Sequence, residues 1–481
     1  MGYSQVFEEG SRLRAFILAL SRVLLIAGLI CGGAFYSSLT TLMYAPLCLY
    51  ALIGPKQAIK ALSLNYLVLF LNPAFHEPAA ETSILRWVII LVAGLRVIPS
   101  ISARSFRFLV PLLLFFAMVS VLAFLTSSSF AVSFLKVSIF AYFAATVLAA
   151  FNSLEQADLD DLRAWFLTIT IVVVLLSLPT FAFPKVGFYR NGTGFQGILS
   201  HPQTMGIFLA PIAAYLTAGL LLGNSRPSFT AWATCAIVIV LMFFSRARTA
   251  ALASFLGVGV TLVVSFYSAR KAALKPALTR ALVVTTMLSI VFALVMFTSQ
   301  TVSKSVVGYL MKGEKGGIEQ AFYISRGAGI SFFWKRFLDA PLTGHGFGID
   351  SSNESLKNTH TFLGIPITSS TEFGFLPAAF LEQVGFLGLA FFAPFFLVLI
   401  WEAVHQADVG FTAMFFACLF VNMGEAVFFS PGMDGGYQWL LIGLSTAAGP
   451  ATRSLQRSDW PWKAHQETAE GSAGKCAFNF T

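Results

Sequence analysis

Charge is what this chain lacks. Only 11% of its 481 residues are Asp, Glu, Lys or Arg, against 57% hydrophobic, and the mean hydropathy is +0.78. That balance excludes a soluble domain of this length and leaves a polytopic helical membrane protein. Cysteine is also scarce: Cys31, Cys48, Cys235, Cys418 and Cys476. Four fall inside apolar runs and none forms a CxxC pair, which argues against disulfides or zinc and for small buried hydrophobes. No small-residue cleavage site follows the first apolar run, so it reads as a retained span rather than a signal peptide. No repeat period is evident. The net charge of +9 carries no nucleic-acid signal, because the basic residues lie mostly in short loops, where they set topology and meet anionic lipid.

What is present is a succession of apolar runs, each able to cross a bilayer as a helix. They fall at 15–35, 38–54, 60–75, 84–99, 108–127, 130–151, 164–183, 203–222, 228–245, 249–268, 281–298, 374–400, 409–429 and 436–450. The expected fold is all-α and polytopic, with about 12–14 transmembrane helices and one large, partly helical loop. With the N-terminus inside, the inner loops carry Arg12, Arg14, Lys56, Lys60, Arg104, Arg107, Arg163, Arg226 and the Arg270/Lys271/Lys275/Arg280 cluster, as the positive-inside rule requires. Both termini are then cytoplasmic. The chain divides into N-terminal spans at 1–189, core spans with arginine-bearing outer loops at 190–298, a large outer loop at 299–371, C-terminal spans at 372–450 and a tail at 451–481 that reads as disordered.

Four arginines break the charge rule. Arg190, Arg246, Arg248 and Arg326 all fall on the outer side. Guanidinium groups held at that mouth suit an anionic ligand such as a diphosphate, although a plain re-entrant turn around Arg190 or lipid anchoring by Arg246 and Arg248 would also place them there. Gly192, Gly194 and Gly197 precede Ser200-His201-Pro202-Gln203, where glycine admits close backbone approach and Pro202 suits a first helical turn whose N–H groups face an anion. His201 alone more often marks a satisfied interfacial histidine. In the large loop, Ser325-Arg326-Gly327 is followed by a helical-looking run at 331–338 and by Pro341-Leu342-Thr343-Gly344-His345-Gly346-Phe347-Gly348, in which Gly344, His345 and Gly346 would shape a pocket floor. Glu372 lies at the outer start of the next span, and Glu382 lies roughly 15 Å deeper along a helix, where hydrogen bonding within the bundle is its expected role. Asp158-Leu159-Asp160-Asp161 imitates an acidic metal pair but falls on the inner face at a helix start, where acids suit the macrodipole.

In order and spacing these pieces resemble the bacterial O-antigen ligase and O-antigen polymerase family of inner-membrane glycosyltransferases. The resemblance runs from Arg190 to Gly388 and rests on His201-Pro202-Gln203, Ser245-Arg246-Ala247-Arg248, the stretch from Arg326 to Gly348 and Glu382-Gln383-Val384-Gly385-Phe386-Leu387-Gly388. It implies a GT-C-like architecture, an undecaprenyl-diphosphate-linked oligosaccharide donor, a glycan acceptor hydroxyl, a periplasmic active site in the inner membrane, and neither metal nor other cofactor. A chain-length regulator or a flippase is a further expected partner. Where family ligases carry His-Asn this chain has Phe373-Gly374, preceded by Glu372, which matches polymerase-like relatives; His360 in Thr359-His360-Thr361 is the reserve.

On that reading Arg190, Arg246, Arg248 and Arg326 bind the diphosphate and stabilise its departure, Glu372 or His360 accepts the hydroxyl proton, and direct displacement inverts the anomeric centre. Two other classes stay open. A transporter or flippase of a lipid-linked or anionic substrate would use Glu382, Glu425 and Asn422. A non-catalytic assembly subunit is the third.

Overall fold

The structure, a computed structural model, describes residues 3–35, 37–75, 82–190, 192–223, 228–267, 320, 323–349, 361–362, 365–366, 374–406, 408–432 and 434–447. The chain is an all-α, polytopic membrane protein. Its helices are α1 (Tyr3–Phe35), α2 (Ser37–Ile53), α3 (Pro55–Leu69), α4 (Thr82–Val97), α5 (Phe106–Thr126), α6 (Phe130–Ser153), α7 (Gln156–Ser177), the one-turn α8 (Pro184–Gly187), α9 (Pro202–Leu222), α10 (Phe229–Phe244), α11 (Arg248–Tyr267), α12 (Ala328–Asp339), α13 (Leu376–Val404), α14 (Val409–Val421) and α15 (Asp434–Thr446). Every apolar run of the sequence corresponds to one of them except 281–298, which lies outside the described residues. Most of the large loop and the whole tail from 448 also lie outside them; within the loop, Thr361–Phe362 pairs with Ile365–Pro366 as a two-residue antiparallel ladder.

Six described segments, from Ala103–Thr126 to Leu376–Val404, are long and apolar enough to cross a bilayer. Side chains such as Leu42, Phe124 and Phe229 are exposed on the outside of the bundle, which suits lipid and not water. Cys31 is exposed too, against the expectation of burial, while Cys235 and Cys418 are buried.

Contacts between helix termini define two ends of the bundle. At the end where α3 and α7 begin, here the foot, Lys56 pairs with Asp158 at 2.7 Å, Asp161 is shared by Lys60 and Arg22, Arg163 meets Asp408 at 3.3 Å, and Arg107 pairs with the buried Glu402. The acidic run at 158–161 therefore ties α7 to α1 and α3.

The other end, the mouth, collects the end of α3 and the starts of α9, α11, α13 and α15. α9 is the most enclosed of the long helices, and α11 packs on α14 almost backbone to backbone: a Cβ on Gly257 would lie 2.7 Å from the Ala413 carbonyl oxygen. Beneath the mouth an aromatic cluster fills the bundle. Phe115, Phe140, Phe380 and Phe392 meet Phe347 from the glycine-rich loop and Phe429 from the segment after α14, with Phe140 and Phe429 ring centres 4.8 Å apart. Edge-to-face pairs of this kind contribute beyond their buried area.

α13 is broken. Gly385 has φ 61° and ψ −168°, a region that only glycine adopts without strain. The freed backbone groups are taken up by the loop at 341–346: Phe386 and Leu387 donate to the carbonyls of Pro341 and Leu342, while His345 and Gly346 donate to those of Glu382 and Gln383, all at 2.9–3.0 Å. No bare backbone group is left in the apolar layer at these positions.

Candidate functional site

Three pieces of chain meet at the mouth because each has a reason to turn there. The first is the loop between α8 and α9. Gln196, fully buried, accepts from the Arg190 N–H at 2.8 Å and donates to the Leu199 carbonyl at 3.1 Å, so one side chain staples the loop. The Phe70 carbonyl and Asn72 N–H hold its far end against α3 through Ser200 and Ile198. Arg190 is exposed on this loop.

The loop runs into α9 through His201, which caps the helix: its Nδ1 accepts the Gln203 N–H at 3.1 Å, with Pro202 at the first helical position. Burial, and secondarily the charge of Arg190, push the His201 imidazole below its usual 6.5. It is neutral at neutral pH with Nδ1 as acceptor, so the proton sits on Nε2. The expectation of free N–H groups at this helix start is thus corrected in part, since the first of them is already capped.

The second piece is the turn between α10 and α11. Gly194 lets the two pieces touch: a Cβ there would lie 2.7 Å from the Ser245 carbonyl oxygen and 2.9 Å from Pro202 Cβ, and the Phe195 N–H donates to the Phe244 carbonyl. Arg246 has φ 57°, the one non-glycine with positive φ among the described residues, and Arg248 opens α11. A bulky residue held in that conformation stores strain, which is common where side chains are aimed for function. Arg246 is exposed and Arg248 half-buried.

The third piece comes from the large loop and the segment after α14. Arg326 ends a π-helical turn before α12 and lies against Gly374, where a Cβ would be 2.5 Å from its Nη1. Its Nη2 pairs with Glu425 Oε1 at 2.9 Å. The same oxygen accepts from Gln203 Nε2 at 3.1 Å and lies 3.5 Å from Thr249 Oγ1. Glu425 therefore joins α9, α11 and the large loop. Its backbone is fixed by Asn422, whose Oδ1 accepts from the N–H groups of Val427 and Phe428. Close by, Thr204 Oγ1 lies 3.4 Å from Asp434 Oδ2 at the start of α15.

The structure thus brings Arg190, His201, Gly194, Arg246, Arg248 and Arg326 to one mouth. It places the other sequence candidates elsewhere. Gly344, His345 and Gly346 lie in the strip that mends the break in α13, where the His345 ring meets the Arg336 carbonyl at 2.8 Å. Glu382, 1% exposed, pairs with Arg336 at 3.1 Å. These residues hold the framework beside the site. Glu372 and His360 lie outside the described residues. Sequence reasoning gave no role at this site to Gln203, Thr249, Glu425 or Asp434: Gln203 figured only in the family motif and Glu425 only as a carboxylate that would suit a carrier. Among the described residues no group of three His, Cys, Asp or Glu side chains is placed to share a metal. Compared with known proteins, the chain matches no family model and no curated protein.

Proposed function

We propose that this protein is a membrane glycosyltransferase that polymerises or ligates glycan units from a polyprenyl-diphosphate donor, working at the mouth of the bundle on the periplasmic side of a bacterial inner membrane. The observation that carries the reading is the gathering of Arg190, Arg246, Arg248 and Arg326, from three separated stretches of sequence, around the start of α9. Breaking a glycosyl–diphosphate bond leaves negative charge on the departing oxygens. Guanidinium groups already in position stabilise that charge without reorganising when the bond breaks.

A carrier is the second class to weigh, and the packing speaks against it. Two of the three residues that suited a carrier are engaged in holding the fold: Asn422 caps the end of α14, and Glu382 pairs with Arg336; the third, Glu425, sits at the mouth against Arg326. The bundle beneath the mouth is filled with phenylalanine rings.

Glycan transfer from a synthetic polyprenyl-diphosphate oligosaccharide by the purified protein tests the proposal. Arg248→Ala should lower turnover on the order of 10²–10³-fold, the usual effect of removing one transition-state donor, with expression retained. Near-normal product length and rate in that variant would refute the role of the arginines.

A further inference from the structure

Glu425 is a carboxylate at the centre of a cationic mouth, and its place there is built rather than accidental. Three donors from three elements converge on one oxygen: Arg326, Gln203 and Thr249. The side chain is 16% exposed, so it is within reach of a ligand and yet shielded enough for its charge to matter. Its backbone N–H donates to the Val421 carbonyl and its carbonyl accepts from Val427, both at 2.9 Å. Gly424 beside it leaves no space for a Cβ against Thr249.

We infer that Glu425 has two successive tasks in the proposed reaction: it holds Arg326 where the diphosphate will bind, and, once displaced, it accepts the proton of the attacking hydroxyl. The inference rests on the reading of the mouth as a glycosyl-transfer site. A carboxylate and a phosphate are both anionic oxygen acceptors for the same guanidinium, and the diphosphate carries more charge, so it takes Arg326 from Glu425 on binding. The carboxylate then loses its nearest cation, and its affinity for a proton rises. That change comes when a proton must be removed. The acceptor hydroxyl oxygen forms a bond to the anomeric carbon while the bond from that carbon to the diphosphate oxygen breaks. The electron pair of the broken bond stays on the diphosphate, and the hydroxyl proton passes to Glu425, which later gives it to water. Asp434 is the competing carboxylate; its Oδ2 lies 3.4 Å from Thr204 Oγ1.

The experiment measures two quantities on the purified full chain in lipid nanodiscs: binding of undecaprenyl diphosphate, and turnover with the polyprenyl-diphosphate oligosaccharide. Glu425→Gln should bind the diphosphate about fivefold more tightly, because Arg326 is no longer held by a charged competitor. It should also turn over about 10²–10⁴-fold more slowly, because the amide cannot take the proton. Glu425→Asp keeps a carboxylate and should retain at least about tenfold more turnover than the Gln variant, or than Glu425→Ala if the Gln variant does not fold. Wild-type protein that binds no diphosphate would sink the glycosyl-transfer reading together with this one. If the wild type binds and transfers, this inference alone is overturned by Glu425→Gln binding the diphosphate more weakly, by its turning over at a near-normal rate, or by Asp434→Asn showing the greater loss.

Discussion

Gly194 sits where the Arg190 loop, the Ser245–Arg248 turn and the start of α9 touch, and that makes it the most direct probe of how finely the mouth is set. In Gly194→Ala the new methyl would lie 2.7 Å from the Ser245 carbonyl oxygen and 2.9 Å from Pro202 Cβ. Ordinary contact needs about 3.5 Å, so one of the three pieces must retreat by roughly 0.6–0.8 Å. A misplacement of about 1 Å costs on the order of 10²-fold in rate, and on that scale the variant should lose about 15–40-fold in kcat. The overpacking should cost about 1–3 kcal/mol in stability, with the protein still folded. The assay is glycan transfer from a defined polyprenyl-diphosphate donor, alongside thermal unfolding in the same detergent. Gly259→Ala on α11 is the matched control: the same methyl meets nothing within 4 Å. It should leave turnover unchanged and gain about 1 kcal/mol of helix propensity. A Gly194→Ala protein working within twofold of wild type, or an equal loss in Gly259→Ala, would refute the claim that close approach at this point positions the arginines.

Three further outcomes follow from the same geometry. Arg107→Ala leaves the buried Glu402 carboxylate without its partner at the foot and should destabilise the protein by about 3–5 kcal/mol; Arg107→Met with Glu402→Leu should recover most of the thermal midpoint, and a silent single variant would count against the pair. His201 is held below 6.5, so the α9 cap it makes in its neutral form is present above that value and lost as pH falls through the lowered one. The protection factor of the Gln203 amide should accordingly fall as pH drops below 6.5 through the lowered value, whereas His201→Asn should show no such pH step. Gly385→Ala forces a side chain into a glycine-only conformation 2.5 Å from the Leu342 carbonyl and should cost about 1–3 kcal/mol or more, read as earlier unfolding and new proteolysis within 341–348.

The helices could be read from the sequence because an apolar run of membrane length has few alternatives, and all but the one at 281–298 are among the described elements. The mouth was readable because Arg190, Arg246, Arg248 and Arg326 stood out as exceptions to the charge pattern expected of the loops, while the basic residues at the foot served only to orient the chain. The break in α13 was not readable. Val384-Gly385-Phe386 inside an apolar run looks like continuous helix, and only the loop at 341–346 lying beside it shows where the hydrogen bonds go. For the same reason Gly344, His345 and Gly346 looked like the floor of a pocket, when the His345 and Gly346 N–H groups serve α13, the Gly344 N–H closes its own loop on Ala340 and the His345 ring meets α12. Glu425 was legible only as a carboxylate that would suit a carrier, because what places it in this site, three donors from distant elements, exists only after folding.

The splice at Gly385 decides how the mouth of the bundle can move. Detaching the strip at 341–346 would strand four backbone groups in hydrocarbon, each at a cost of several kcal/mol. Strip and helix therefore move together, and any motion of α12 relative to them has to pivot near Asp339 and Ala340, where α12 ends. The Arg326 guanidinium, carried on the far side of that pivot, can then shift relative to Arg248, which is seated on α11.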